Sequence, residues 1–145
     1  MTDSGRTGHS GYSGTPLAKK LRIKPGQCVT LWHAPVGWAL PELPEGVRVE
    51  HGPGGLTEAD VVLAFHRSAD ELRAGVQALV DALRPASCLW ILWPRRAAGH
   101  VSDLTENLLR EVLLPLGVVD VKVAAVGEDW SGLAFVWRKE NRPRR

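Results

Sequence analysis

The 145-residue chain is poor in the residues that usually announce a chemistry. Its two cysteines, Cys28 and Cys88, have no CxxC or Cys/His spacing, so neither a zinc knuckle nor a disulfide framework is encoded. They fit buried thiols of a reducing compartment. No apolar run approaches the roughly 18 residues needed to span a bilayer. The N-terminal stretch MTDSGRTGHSGYSG has no apolar centre, which argues against a signal peptide or anchor. A cytoplasmic protein with no membrane contact is the expectation. Phenylalanine and tyrosine are scarce, two and one, against six tryptophans. Trp combines a large buried ring with one N–H that needs a partner, so packing is the first role to assign each of them.

What is present is an ordinary globular composition, 44% hydrophobic and 23% charged. One domain over residues 11–139 is expected, between a disordered tail at 1–10 and a basic flexible tail at 140–145. The net charge of +2 hides an asymmetry. Residues 1–25 carry five cations against Asp3, and residues 138–145 five against Glu140, so each end is +4 and the body −6. Basic ends on an acidic body allow a nucleic-acid partner, although solvated termini have the same composition.

Along the chain, Thr15-Pro16 has the pattern of a helix start, with a short helix over Leu17 to Leu21. Pro25-Gly26 turns the chain into a first strand, Cys28 to His33. Three prolines between 34 and 46 leave room for no more than one helical turn, around Trp38 to Leu40. Val47 to Glu50 and Ala59 to Phe65 read as strands two and three. Ser68 with Glu71 forms a capping box for a helix carrying Leu72, Val76, Leu79, Val80 and Leu83 at helical spacing. Cys88 to Trp93 is an apolar run with no polar alternation, as suits a strand covered on both faces. Ser102 is the expected cap of a helix from Asp103 to Leu114. Val118 to Val126 and Leu133 to Lys139 are close enough to form an antiparallel hairpin. The fold class is therefore α/β: a three-layer, Rossmann-like mixed sheet of about six strands in the order 2-1-3-4-6-5, the last strand antiparallel. This is the order of a methyltransferase-like sheet trimmed at one edge. Cys28 and Cys88 would start strands flanking the third, about 9 to 10 Å apart and beyond disulfide reach.

Three separated motifs, GYSGTPLAKKL from residue 11, WPRRAAG with DLTEN (93–99 and 103–107), and VDVKVAAV followed by Trp130-Ser131-Gly132, carry a resemblance. In these the chain resembles a bacterial family of small proteins described as a domain of unknown function. The resemblance covers residues 11–138 and implies no activity. The family pattern has Gly where this chain has Arg22, Lys where it has Arg95 and Arg96, and Ser where it has Ala98. Arg keeps the charge of Lys but not its geometry.

Ligands of open parallel sheets bind outside the carboxyl ends of the strands. At that edge the expected order places His33, Glu50, His66, Trp93, Arg95, Arg96 and His100, with Asp103 and Glu106 opening the next helix. Trp130 and Ser131 of the hairpin turn, and Tyr12, Ser13 and Thr15 of the N-terminal motif, reach the same edge. Four chemistries compete for this crevice. Glu50 stands where S-adenosylmethionine enzymes keep an acid for the ribose, but the turn His33-Ala34-Pro35-Val36-Gly37 lacks the glycines such a cofactor needs. His33, His51 and His66 end adjacent strands, yet no metal-ligand spacing supports them. Arg95, Arg96 and His100 before a helix N-terminus suit a small anionic ligand. Ser131 has no nucleophile elbow around it. The expectation is a ligand- or protein-partner-binding domain with no catalytic residue, cofactor or metal. A small methyltransferase-like enzyme and a nucleic-acid accessory protein are the alternatives.

Overall fold

The computed structural model of the protein describes residues 16–142. Six strands, β1 (Cys28–Trp32), β2 (Arg48–His51), β3 (Val61–Phe65), β4 (Cys88–Pro94), β5 (Val118–Val126) and β6 (Trp130–Trp137), form one sheet in the order β2-β1-β3-β4-β6-β5. The first four are parallel, and β6 runs antiparallel to both β4 and β5. The expected order and the expected hairpin are both present.

Alternation along β3 and β4 builds two cores. Val62, Ala64, Leu89, Ile91 and Trp93 face the helices α2 (Ala69–Ala82) and α3 (Glu106–Leu113). Val61, Leu63, Phe65, Trp90 and Leu92 face the short helix α1 (Leu17–Lys20) and the segment containing Trp38, Leu40 and Val47. Both central strands are buried on both faces, as their unbroken apolar sequences require. Two indoles fasten the layers. Trp90 Nε1 donates to the Leu21 carbonyl at 3.0 Å, and Trp137 Nε1 to the Leu83 carbonyl at 2.8 Å. Gly132 allows the sheet to close over Trp90, since a β-carbon there would lie 3.0 Å from the indole.

The amino ends of three strands meet at Asp60. Its carboxylate accepts from the Cys28 N–H at 2.8 Å and from Arg84 Nη2 at 2.7 Å. Its own N–H donates to the Cys28 carbonyl, and its carbonyl accepts from the Cys88 N–H. Ser87 Oγ adds a bond to the neighbouring Ala59 carbonyl at 2.7 Å.

No helical turn forms at Trp38 to Leu40, within the limit of one that the surrounding prolines set. Two expectations need correction. The hairpin loop is shorter than anticipated, Gly127 to Asp129, with Val126 paired to Trp130. Ser102 does not cap α3. Thr105 does, accepting from the Leu108 N–H at 3.1 Å, because Leu104 is drawn into the core and bends the segment before it. Asp103 consequently lies outside the helix and accepts from the Ala69 N–H at the start of α2. The capping box of α2 also forms asymmetrically. Ser68 Oγ accepts from the Glu71 N–H, whereas Glu71 Oε1 reaches past Ser68 to the Arg67 N–H.

Arg22, where the resembled family has Gly, follows α1 with φ 67. A non-glycine residue there carries the steric cost of the left-handed region. Arg22→Gly is expected to raise the unfolding free energy by about 1 kcal/mol in urea titration. Asp60→Ala is expected to lower it by about 2 kcal/mol, and Asp60→Asn by less, since the amide keeps an acceptor for Cys28. Equal, near-zero effects of both Asp60 variants would remove its structural role.

Candidate functional site at the carboxyl edge of the sheet

The connectivity places the switch in strand order between β1 and β3, at whose carboxyl ends sheets of this kind bind their ligands. β1 ends on Trp32, and His33 follows at φ 58, its ring stacked on Trp32 at 4.7 Å. His33 Nδ1 lies 3.8 Å from Glu71 Oε2, an ion pair only when the imidazole is protonated. β3 ends on Phe65, and the His66 N–H donates to the Leu92 carbonyl at 2.9 Å, extending the ladder by one residue.

His66 is the unusual group. It is 1% exposed, yet neither ring nitrogen has a hydrogen-bond partner. The buried Nε1 of Trp32 is also unpartnered. Trp32 pairs with Ala64 across β1 and β3, so Trp32 and His66 belong to the sheet face that receives α2. Burial holds the His66 pKa below its usual 6.5, against the opposing pull of the Glu71 carboxylate. The Ala64 carbonyl also favours the protonated ring, though without the geometry of a hydrogen bond.

On the other side of the crevice the basic loop is tied down. The Arg95 N–H donates to the Asp129 carbonyl at 2.8 Å and its guanidinium to the Glu128 carbonyl at 3.3 Å. Arg96 Nη2 donates to the Ser102 carbonyl at 3.4 Å, and His100 Nε2 lies 2.9 Å from Asp129 Oδ1. Arg95, Arg96 and His100 therefore do not converge on a helix N-terminus, which begins three residues later than Ser102. Trp130 packs edge-on against Phe65, with the Arg67 guanidinium 5.4 Å above its ring. Trp93 is buried and paired with Ser131 across the sheet. Glu106 is turned away, paired with Arg110 at 3.1 Å on the helix surface. Glu50 is exposed on β2, its carboxylate folded over Gly55. Tyr12, Ser13 and Thr15 lie outside the described residues.

Of the expected site residues, His33 and His66 follow the neighbouring strands β1 and β3, and Arg95 and His100 share the Glu128-Asp129 turn. Trp32, Glu71, Arg67 and Asp129 lie beside them, none of them an expected site residue. The available signal for Trp32 and Glu71 was position alone: a strand end beside His33, and the first turn of the helix that follows His66. Among the described residues no three His, Cys, Asp or Glu side chains are grouped to hold a metal ion, and His33, His51 and His66 do not form such a set. No helix of the described residues is long and apolar enough to cross a membrane. A groove of about 410 Å³ lies elsewhere, between α2 and α3, lined by Arg73, Val76, Gln77, Glu111, Val112 and Leu116. None of the crevice residues borders it.

Between the folded-state pKa of His66 and 6.5 the unfolded chain binds the extra proton, so stability falls as pH falls through that window and gains nothing from His66 above it. Urea titrations of the natural chain and His66→Leu from pH 8 to pH 5 are expected to diverge below about 6.5, the natural chain losing more. A constant difference across that range would contradict the buried neutral imidazole.

No family model matches the chain, so the motif resemblance gains no support there. No curated protein matches it either. Solved structures do. A possible exported protein from Bordetella parapertussis superposes with TM-score 0.54 at 14% identity, over 88% of this chain and 66% of that one. A putative tRNA (m1A22) methyltransferase of Streptococcus pneumoniae gives 0.53 at 12%, over 89% and 69%. DhpI, solved in complex with SAH, gives 0.52 at 15%, over 88% and 81%. The chain thus spans about two thirds of the length of the first two. At these identities what is shared is the fold, a methyltransferase-like Rossmann sheet.

Proposed function

We propose that this chain is a ligand-binding domain on a methyltransferase-like sheet, holding a small molecule at the carboxyl ends of β1, β3 and β4 without methyl-transfer chemistry. The observation that carries this reading is the end of β1. In this fold a glycine-rich turn there lets backbone approach the cofactor and aims a helix N-terminus at it. Here Trp32 and His33 end the strand, Pro35 follows, and no helix forms before β2. The Trp32 indole packs against Gly52, where a β-carbon would lie 2.9 Å away. That indole fills the place where small residues would admit a nucleoside. The residues therefore do not fit S-adenosylmethionine.

A second reading, a small S-adenosylmethionine-dependent methyltransferase, has the fold likeness on its side. The likeness to DhpI, solved with SAH, and to the putative tRNA methyltransferase supports it more directly than it supports a non-catalytic domain. Glu50, exposed near the end of β2, is the acid this reading would assign to a ribose. Fold alone does not carry activity, which is why the β1 terminus decides between the two.

Thermal unfolding with S-adenosylmethionine or SAH separates these readings. No shift in Tm is expected with either compound at millimolar concentration. A rise of several degrees that disappears in Glu50→Ala would replace the first reading with the second.

A further inference from the structure

Two of the three sequence motifs, at their LAKK and VDVKV stretches, meet on the face of the sheet that carries α1. Trp90, Ala134 and Lys122 stand opposite one another across β4, β6 and β5. The end of α1 lies over that row. The Leu21 carbonyl accepts from Trp90 Nε1, and the Lys20 carbonyl accepts from Lys122 Nζ at 2.7 Å. Lys20 Nζ reaches to the Ala125 carbonyl at 3.3 Å, so two ammonium groups share one strip of β5. Arg22 follows directly, and Arg22 and Lys122 both act on the Cys88 thiol, opposing the burial that pushes it up to about 11. Lys19 and Lys24 flank this group in sequence and are exposed, as Arg22 is.

Five cations in one place repel one another, and the fold supplies no counter-charge. Among the described residues no carboxylate lies within ion-pair distance of any of them. Asp120, on the same strand as Lys122, is turned to Arg110 on α3. Stability does not explain the arrangement either. Arg22 is held at φ 67, where glycine would sit without strain, so this cation burdens the fold that carries it.

We infer that this surface grips the phosphodiester backbone of a nucleic acid without reading its sequence. A lone small anion gains little from exposed cations, because water and salt screen each pair. A polyanion engages several at once and releases its condensed counterions, which makes such a surface effective. A bilayer fits less well. Along residues 18–24 the apolar side chains between the cations, Ala18, Leu21 and Ile23, are buried in the core, so this stretch lacks the apolar face that a membrane-bound helix inserts. None of these residues belongs to the carboxyl-edge site, and the inference does not rest on the ligand-binding reading.

The test is fluorescence anisotropy of the full chain with two labelled probes, a single-stranded RNA and a DNA duplex, each of about 20 nucleotides per strand. Binding of at least one is expected, and the tighter probe identifies which backbone is held. Affinity is expected to fall on the order of a hundredfold between about 50 and about 200 mM salt, as four or five phosphate contacts require. Arg22→Gly is expected to weaken binding by about tenfold and to make the salt slope shallower by about one, while Tm rises by about 2–4 °C. Loss of affinity in a more stable protein separates binding from folding. Lys24→Gln, at an exposed lysine, is expected to weaken binding in the same direction. Arg73→Gln removes one charge from α2 on the opposite face of the sheet and is expected to change affinity by less than about twofold. The inference is overturned when neither probe binds at about 50 mM salt, including the case in which phosphatidylglycerol vesicles capture the chain and both nucleic acids are silent. It is also overturned when Arg22→Gly and Lys24→Gln bind as the natural chain does, or when Arg73→Gln loses as much as they do, since net charge alone would then be responsible.

Discussion

The carboxylate of Asp60 is the constraint on which the rest of the sheet depends. β1, β3 and β4 are joined by long crossovers, and parallel strands have no tight turn to fix their register. Asp60 fixes it instead, binding the first N–H of β1 with one oxygen and Arg84, just past α2, with the other. A slip of one residue would turn every core side chain of a strand to the opposite layer, and both layers of β3 are fully occupied. Because rise per residue is nearly the same in each strand, a register set at the amino edge is also set at the carboxyl edge. Trp32 comes opposite Ala64, and Phe65 opposite Leu92, so Trp32, His66 and Trp93 end their strands on one face. The crevice is positioned from the far end of the sheet.

The tryptophans divide by what their N–H meets. Trp90 and Trp137 donate to carbonyls at the ends of α1 and α2, so each fixes a helical layer and contributes packing as well. These two bonds hold elements of low intrinsic stability. A four-residue helix such as α1 does not persist in water, and its place is secured by Leu21, whose side chain is in the core and whose carbonyl is bound to Trp90. Trp38 and Trp130 both meet Phe65 edge-on and close the opposite face at the carboxyl edge. Trp32 alone has a buried N–H without a partner, and it ends the strand that would carry the cofactor turn in a methyltransferase.

Strand order, the α2 capping box and the terminal hairpin were legible because each rests on local sequence: an apolar run, a Ser and Glu at fixed spacing, a connection too short for a crossover. The start of α3 was not. Ser102 and Thr105 are both good caps, and local sequence does not rank them. The choice falls to Leu104, which must enter the core, and to Asp103, which finds its donor on α2, thirty-four positions away. The surroundings of the basic loop were not legible for a related reason. Arg95 and Arg96 each donate one bond to a carbonyl, of Glu128 and Ser102, and the first of these exists only once the hairpin turn folds beside the loop. His66 was placed correctly at the edge, whereas its burial and its lack of partners depend on the packing of β3 against α2 and could not be read from spacing.

Loss of a helix between β1 and β2 has a consequence for where this sheet can bind anything. In the full fold the β1 turn and its helix concentrate donors over β1 and β2, and the ligand lies across them. Here β2 is a four-residue edge strand with every residue exposed, and the 33–47 segment supplies no helix N-terminus. Three of the four buried side-chain nitrogens without partners, on Trp32 and His66, lie at the carboxyl ends of β1 and β3, and the fourth is Arg84 Nε. Two N–H groups of the first turn of α2 are taken by Asp103 and Ser68, so it differs from the helix N-terminus that a glycine-rich cofactor turn aims at its ligand.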